Sequence, residues 1–288
     1  MCPACLASLS WAAAGVASTG GITAAAALVA TTLRGKSVKN NENKELDMKL
    51  PKVVSRDRWL AARKDLLAKE KEWNRQRDAL SAERSKLPMV LLEKDYVFEG
   101  PNGPRTLSDL FEGKRQLIVY HFMFDPAWDA GCPACSLVAD SFAGSLVHLA
   151  ARDTSFAVVA RAPLARIEPF KKRMGWSFPW LSSFDNDFNY DFHVTIDEAH
   201  PQYNYREDHY TNPRQGPAKG EREGFSVFLR DGEQVYHTYS TYMRGLDAFI
   251  NTYNFLDHTP LGRQEGDAPM SWLRHHDKYQ STNGQQQH

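Results

Sequence analysis

The chain has 288 residues, which allows one large domain with extensions or two small domains. Lys and Arg together number 35, as do Asp and Glu, and no basic cluster lies among aromatic residues, so the composition argues against a nucleic-acid partner. The four cysteines, in two Cys-Pro-Ala-Cys pairs, are too few for a disulfide scaffold of this size and indicate redox or metal chemistry.

The start of the chain is uncharged. Residues 2–33 contain no charged side chain, and Arg34, Lys36 and Lys39 follow at once. Since a membrane helix needs about 20 apolar residues, we predict that residues 1–35 form an N-terminal membrane helix. The basic flank then places the rest of the chain in the cytoplasm. Because the stretch is rich in Ala, Gly, Ser and Thr, the alternative is a docked apolar helix in a soluble cytoplasmic protein.

A helical arm, residues 55–93, follows a polar linker over residues 36–54. Ser55 is a suitable N-cap for its helix, and Pro88 ends the helix. Every seventh residue is large and apolar, which forms one narrow stripe of Trp59, Leu66, Trp73, Leu80 and Leu87. The positions midway between these residues are mostly polar, which does not suit a coiled coil, so we expect the helix to lie over its own domain. Homodimerisation through residues 55–87 is the alternative.

Residues 94–260 have the element order of one α/β domain. Two short apolar stretches predict buried parallel strands, a helical pattern follows each, and Asp231-Gly232 predicts a hairpin. Strand, helix, strand and helix, then a hairpin and a closing helix, is the order of a thioredoxin-like domain with a three-layer α/β fold. The polar tail, residues 261–288, is expected to be loose. The main predicted elements are strands at 116–124, 156–160, 225–229 and 235–239 and helices at 136–149, 163–174 and 246–256.

The motif with the most chemical content is Cys132-Pro133-Ala134-Cys135, where the first of these strands turns into a helix. A thiol at a helix start meets open backbone N–H groups and the positive end of the helix dipole, which favour its thiolate. Dithiol exchange needs one such sulfur to attack a disulfide and a second sulfur to resolve the mixed disulfide. We therefore predict that Cys132 is the exposed nucleophile and that Cys135, one turn further on, is the more buried resolving thiol.

Four neighbours of the two thiols are predicted to shape the site. Pro133 and Ala134 lie between the cysteines, and Trp128 and Asp129 precede them, where they could control partner access or proton transfer. His121 lies inside the preceding strand and is predicted to be a hydrogen-bonded core residue rather than a base.

The second cysteine pair, Cys2 and Cys5, precedes the uncharged stretch. Two such pairs would suffice for a four-thiolate zinc site, but these pairs lie far apart in sequence. We therefore predict no metal, and no cofactor beyond the sulfurs of Cys132 and Cys135. Cys2 and Cys5 form a second redox pair in one interpretation and are unstructured in the other.

Several dispersed motifs resemble a known family. They are Arg58-Trp59-Leu60-Ala61-Ala62-Arg63, the block from Leu87-Pro88 to Tyr96, Tyr120–Phe124 with Gly131 before the cysteine motif, Gly175-Trp176, Phe178–Ser183 and Asp187–Asp191. Over about residues 50–260, the chain is similar to the bacterial-type thioredoxin-like family catalogued as domain of unknown function 899. The resemblance implies a dithiol–disulfide oxidoreductase, related to the alkyl hydroperoxide reductase and thiol-specific antioxidant branch, with no assigned substrate.

This chain lacks two sequence motifs of related redox proteins, which limits the activity that the resemblance implies. A thioredoxin usually has a cis-proline before the strand that faces its motif, whereas here Glu223-Gly224 precedes Phe225. A peroxiredoxin carries Pro-x-x-x-Thr-x-x-Cys, whereas here Pro126 is followed by Ala130 at the threonine offset. Peroxidase activity of the usual kind is therefore not expected.

The sequence predicts an enzyme that exchanges disulfides with a protein or a small thiol. The alternative is a non-catalytic thioredoxin-like binding or scaffold protein. Its contact surface would be the tyrosine-rich loop with Tyr203, Tyr205 and Tyr210.

Overall fold

The computed structural model describes residues 50–206, 211–212, 216–217, 219–265 and 269–279. The predicted membrane helix over residues 1–35, together with Cys2, Cys5 and Tyr210, lies outside these ranges. Among the described residues, no helix combines the length and the apolar character that a membrane span requires.

The described elements form a mixed α/β domain. The helices are α1 (Arg56–Arg84), α2 (Pro133–Ala139), α3 (Ala143–Ala150), α4 (Leu164–Arg173), α5 (Phe188–Asp191) and α6 (Asn251–Leu256), with 3-10 turns at Ser108–Phe111, Met243–Phe249 and His276–Lys278. The strands are β1 (Val90–Leu91), β2 (Val97–Gly100), β3 (Gly103–Thr106), β4 (Gln116–His121), β5 (Thr154–Ala160), β6 (Trp180–Ser182), β7 (Thr195–Ile196), β8 (Thr211–Asn212), β9 (Gly216–Pro217), β10 (Gly220–Glu221), β11 (Gly224–Asp231) and β12 (Gln234–Tyr242).

An eight-stranded sheet is the centre of the fold, in the order β1-β12-β11-β4-β5-β6-β2-β3. Strand β4 pairs in parallel with β5 and antiparallel with β11, and β11 forms the predicted hairpin with β12 around Gly232. The middle of strand β4, Leu117–Tyr120, is apolar because clusters of apolar side chains cover both faces of the sheet. The predicted α/β thioredoxin-like fold is confirmed by this topology.

Helix α1 begins as predicted but does not pack as predicted. The Ser55 hydroxyl accepts a hydrogen bond from the Arg58 N–H at 3.4 Å, which satisfies a donor of the first turn. The expectation that α1 lies over its own domain is wrong, because none of its 29 residues is buried. After Pro88 the chain turns into β1, which pairs with β12, so the end of the predicted arm belongs to the sheet.

The helix predicted over residues 136–149 is broken into α2 and α3. The N–H groups of Ser141 and Phe142 bond to the carbonyls of Val138 and Ala139, three residues earlier, which makes a tighter turn than an α-helix. The turn places Phe142 in the core, 7% exposed, with its ring centroid 5.2 Å from that of Tyr120. Burial of this aromatic ring accounts for the break.

The two faces of β4 carry different side chains. Because successive residues of a strand point to opposite faces, Tyr120 faces the cluster that contains the two motif cysteines, and His121 faces the other side. We call the first side the thiol face. The ring of His121 stacks on Phe188 and Phe192, at centroid distances of 5.4 and 5.9 Å.

A chain of four polar side chains crosses β4, β11 and β12 on the side opposite the thiol face. His121 Nε2 lies 2.8 Å from Ser226 Oγ, Ser226 Oγ lies 2.8 Å from Ser240 Oγ, and Ser240 Oγ lies 2.8 Å from His237 Nε2. Burial lowers the pKa of His121 to about 3, with a further effect of His237, so the His121 ring is neutral. The prediction of a core histidine is confirmed.

Candidate active site

The cysteine motif lies where the predicted strand-to-helix turn placed it. Cys132 is the N-cap of α2, Pro133 is its first residue and Cys135 lies in its first turn. The Cys132 N–H donates to the Met123 carbonyl at 3.0 Å, and the Cys132 carbonyl accepts from the N–H and the hydroxyl of Ser136, at 3.0 and 2.9 Å. These bonds fix the first turn of α2 against the end of the central strand. Both cysteines are present as thiols rather than in a disulfide.

The predicted exposure of Cys132 is wrong. Cys132 is 1% exposed and Cys135 is 2% exposed, so both thiols are buried. They belong to an apolar cluster with Tyr120, Phe122 and Phe124 of the central strand and its extension. Reaction with any partner therefore requires the cover over Cys132 to move.

A C-terminal segment, residues 269–279, packs against the same cluster and is not the loose tail that the sequence predicts. Met270 and Trp272 pack against the cluster that contains the cysteines, and Leu273 is 6% exposed. Arg173 at the end of α4 forms an ion pair with Asp277 at 3.1 Å. These contacts hold a polar-looking segment beside the motif.

His275 links the C-terminal segment to the motif loop. Arg173 Nη2 donates to His275 Nδ1 at 2.7 Å, so the ring proton is assigned to Nε2, which lies 2.8 Å from the Gly131 carbonyl and donates to it. Burial lowers the pKa of His275, which favours this neutral form. The residue next to it, His276, lies 2.8 Å from a carboxylate oxygen of Asp140, at the end of α2.

The four predicted site-shaping residues divide into two groups. Pro133 and Ala134 are half-buried in α2, and Trp128 is half-buried against the thiol cluster. Asp129 is fully exposed and 3.5 Å from Arg166, whose guanidinium also donates to the Trp128 carbonyl at 2.6 Å. The structure therefore brings Trp128 to the site and turns the Asp129 side chain to solvent.

Gly131 fits a space that admits no side chain. A Cβ at this position would lie 2.5 Å from a ring carbon of Phe122 and 2.9 Å from one of Phe170, both closer than real Cβ contacts. The glycine lets the loop pass directly over these rings and delivers Cys132 to the start of α2.

Tyr120 is a site residue that sequence reasoning missed. Its hydroxyl is buried and has no nitrogen or oxygen partner among the described residues. Burial raises the pKa of Tyr120 well above 10, and the nearby Cys135 and Cys132 thiols and the Glu223 carboxylate raise it further. The phenol therefore stays protonated and keeps an O–H that it can donate. An aromatic residue in a buried strand gives no signal for this role in the sequence.

A buried carboxylate in β10, that of Glu221, was also missed by sequence reasoning. Glu221 is 1% exposed and accepts hydrogen bonds from Thr195 at 3.0 Å and from Asn189 and Arg161, both at 3.2 Å. Burial raises the pKa of Glu221 to about 7, while Arg161 opposes that rise. The negative charge of Asp125, in the loop before the cysteine motif, makes a smaller contribution that also raises the pKa of Glu221.

The tyrosine-rich loop is only partly a surface. Tyr203 is 2% exposed, and its hydroxyl donates to the Glu223 carbonyl at 3.0 Å, so its predicted role as a contact residue is wrong. Tyr205 is 71% exposed, with its hydroxyl on the Ser240 carbonyl at 2.9 Å. In the part of the chain that the structure describes, no three His, Cys, Asp or Glu side chains converge as metal ligands would.

Comparison with known proteins identifies one matching family. The model of the family described as bacterial protein of unknown function (DUF899) matches residues 48–279. No curated protein matches the chain.

Similar solved structures include the peroxidoxin BcpB of Mycobacterium tuberculosis, at 16% identity, with 58% of this chain and 94% of that chain covered and a TM-score of 0.38. The bacterioferritin comigratory protein of Xanthomonas campestris is 14% identical, with 58% and 96% covered and a TM-score of 0.40. A cysteine-to-serine mutant of PrxQ from Xylella fastidiosa is 15% identical, with 56% and 88% covered and a TM-score of 0.37.

Proposed function

The chain belongs to the bacterial family of unknown function DUF899, and we propose that it is a thiol–disulfide oxidoreductase that reacts through Cys132 and Cys135. The observation that supports the proposal most is the position of the two thiols. They occupy the N-cap and the first turn of α2, at the end of the central parallel strand, with no disulfide between them. The open N–H groups of a first helical turn stabilise a thiolate at such a place.

The proposed reaction has two exchange steps. The Cys132 thiolate attacks one sulfur of a substrate disulfide, a mixed disulfide forms, and the other substrate sulfur leaves as a thiolate and takes a proton from water. The Cys135 thiol then loses its proton to water, and its sulfur attacks the Cys132 sulfur to form the Cys132–Cys135 disulfide. The second substrate sulfur leaves as a thiolate and takes a proton from water. The substrate gains two electrons and the protein dithiol loses two. A dithiol reductant from outside the chain restores the starting state, and the same steps in reverse oxidise a substrate dithiol.

The surroundings of the thiols suit this chemistry. The protonated Tyr120 hydroxyl lies near the Cys135 thiol and can donate a hydrogen bond to that sulfur while it carries charge. The apolar cluster excludes water from the mixed disulfide. Access to Cys132 is gained when the C-terminal segment lifts from the loop, because Met270 and Trp272 pack on the same cluster.

The test uses the full chain with Cys2 and Cys5 replaced by Ser, so that any reaction belongs to the motif. We expect reversible formation of a Cys132–Cys135 disulfide in a redox titration, and catalysed reduction of a test protein disulfide with dithiothreitol as the reductant. Cys132→Ser should abolish the reaction, whereas Cys135→Ser should stop it at a mixed disulfide that mass spectrometry detects.

Two outcomes would contradict the proposal. One is the absence of a reversible disulfide across the whole range of potentials, and the other is exchange that survives Cys132→Ser. The partner captured by Cys135→Ser in a cell extract would define the substrate class.

A further inference from the structure

Helix α1 carries an uncovered row of large apolar side chains. Trp59, Leu66, Trp73, Leu80 and Leu87, the Trp/Leu stripe, are 48, 51, 59, 47 and 47% exposed. Leu60 and Leu67 lie beside the stripe and are 40 and 39% exposed. No element in the described ranges buries any residue of α1.

A helix of this length gains its stability mainly from the packing of an apolar face. Helix α1 has 29 residues, about 43 Å, and the described part of the chain gives it no such packing. Its own ion pairs, such as Arg63–Glu70 at 2.9 Å, are surface pairs, which contribute at most about 1 kcal/mol each. The stripe is therefore suited to a partner.

The area available matches what a dimer requires. With about 250 Å² for a whole Trp and somewhat less for a Leu, the exposed parts of the stripe with Leu60 and Leu67 amount to about 600 Å² per copy. Two copies would bury about 1,200 Å², which is the lower end of specific protein–protein interfaces.

The spacing of the stripe indicates which partner fits. A seven-residue repeat drifts by about 20° per repeat on a straight helix, so it stays in contact only with a helix that winds around it with the same period. A second copy of α1 supplies that period over the same length. The midway positions Lys69, Gln76 and Glu83 are polar, so the pair lacks the second apolar row of a regular coiled coil, and the contact consists of the stripe with Leu60 and Leu67 beside it.

We propose that this chain forms a homodimer in which the α1 helices of two copies pack along their Trp/Leu stripes. The two copies present the same surface to each other, as in a two-fold interface. The proposed contact consists of α1 residues and includes none of the cysteine motif.

Sedimentation equilibrium of the full chain in aqueous buffer tests this proposal. We expect a dimer at micromolar concentration. Leu66→Glu with Leu80→Glu places charges in the seam and should raise the dimer dissociation constant at least 100-fold. The matched control is Ala68→Glu with Ala82→Glu, two exposed positions on the opposite side of α1, which should leave the dimer intact.

The variants keep the test independent of folding, because none of the four positions is buried and Leu, Ala and Glu all favour helix. Circular dichroism should give the same helix content for all three proteins. A wild-type chain that stays monomeric, a dimer that survives the Leu66 and Leu80 changes, or equal dissociation by the control pair would overturn the proposal.

Discussion

Replacement of Leu273 by Ala should speed the alkylation of Cys132. Leu273 is the most buried large apolar side chain of the C-terminal segment, 6% exposed, and the segment packs against the cluster that holds Cys132. The substitution removes apolar burial from the segment without a change in the cysteine motif. We expect the reagent to reach Cys132 only when the segment opens, so that the alkylation rate reports the opening equilibrium.

The size of the effect follows from the contacts of the segment. Loss of a buried Leu side chain costs about 2 kcal/mol at the low end of the measured range, which suits a peripheral segment. Ordering a segment costs conformational entropy, which offsets much of what its contacts contribute, here the burial of Leu273, the His275 hydrogen bond and the Asp277 ion pair. Opening is therefore local, and 2 kcal/mol corresponds to an increase of about 30-fold in the open population.

Iodoacetamide labelling at pH 7.5, read by peptide mass spectrometry for Cys132 and Cys135 separately, measures the two rates. The wild-type Cys132 should react more slowly than an exposed thiol, and Leu273→Ala should raise its rate about 30-fold with an unchanged urea midpoint for the domain. Lys278→Ala, at an exposed position of the same segment, is the control and should leave the rate unchanged. Unchanged labelling in Leu273→Ala, with faster hydrogen exchange in residues 269–279, would show that the segment does not cover Cys132.

Two further predictions concern stability. Because burial raises the folded-state pKa of Glu221 to about 7 from 4.5, its contribution to stability is full below pH 4.5 and is lost as the pH rises through 7. In urea titrations, the wild-type unfolding free energy relative to that of Glu221→Gln should fall by about 3 kcal/mol between pH 4.5 and 8. Parallel pH curves for the two proteins would contradict the assignment. Gly131→Ala should destabilise the domain by about 1 to 3 kcal/mol, because the methyl group of the alanine would clash with the rings of Phe122 and Phe170. A thermal unfolding midpoint equal to that of the wild type would refute this steric argument.

The elements that the sequence predicts well are those whose signals are local. The apolar run of β4, the turn at Asp231-Gly232 and the N-cap Ser55 each depend on a few neighbouring residues, and the structure contains all three. The strand-to-helix position of Cys132 is local in the same way.

The features that the sequence does not predict depend on distant contacts. His275 reaches the Gly131 carbonyl across 144 residues, so nothing in the polar composition of the tail indicates that it is docked. Glu221 is buried among Thr195 and Asn189, 26 and 32 residues away, which a local pattern does not reveal. The prediction that α1 lies over its own domain failed for a different reason. An apolar stripe indicates that a helix packs against a partner, but it does not indicate which molecule supplies that partner.

The four-membered polar chain behind β4 also sets the alignment of the hairpin during folding. A slip of β11 by one residue along β4 would turn the Ser226 hydroxyl towards the aromatic rings of the thiol face and leave His121 and Ser240 without it. Each buried polar group stranded in this way costs about 1 to 3 kcal/mol, so the misaligned sheet would lose several kcal/mol even if its apolar residues packed equally well. Apolar side chains of β4 and β11 discriminate poorly between neighbouring registers. The two hydroxyls and two imidazoles, in contrast, can all form their hydrogen bonds in only one register.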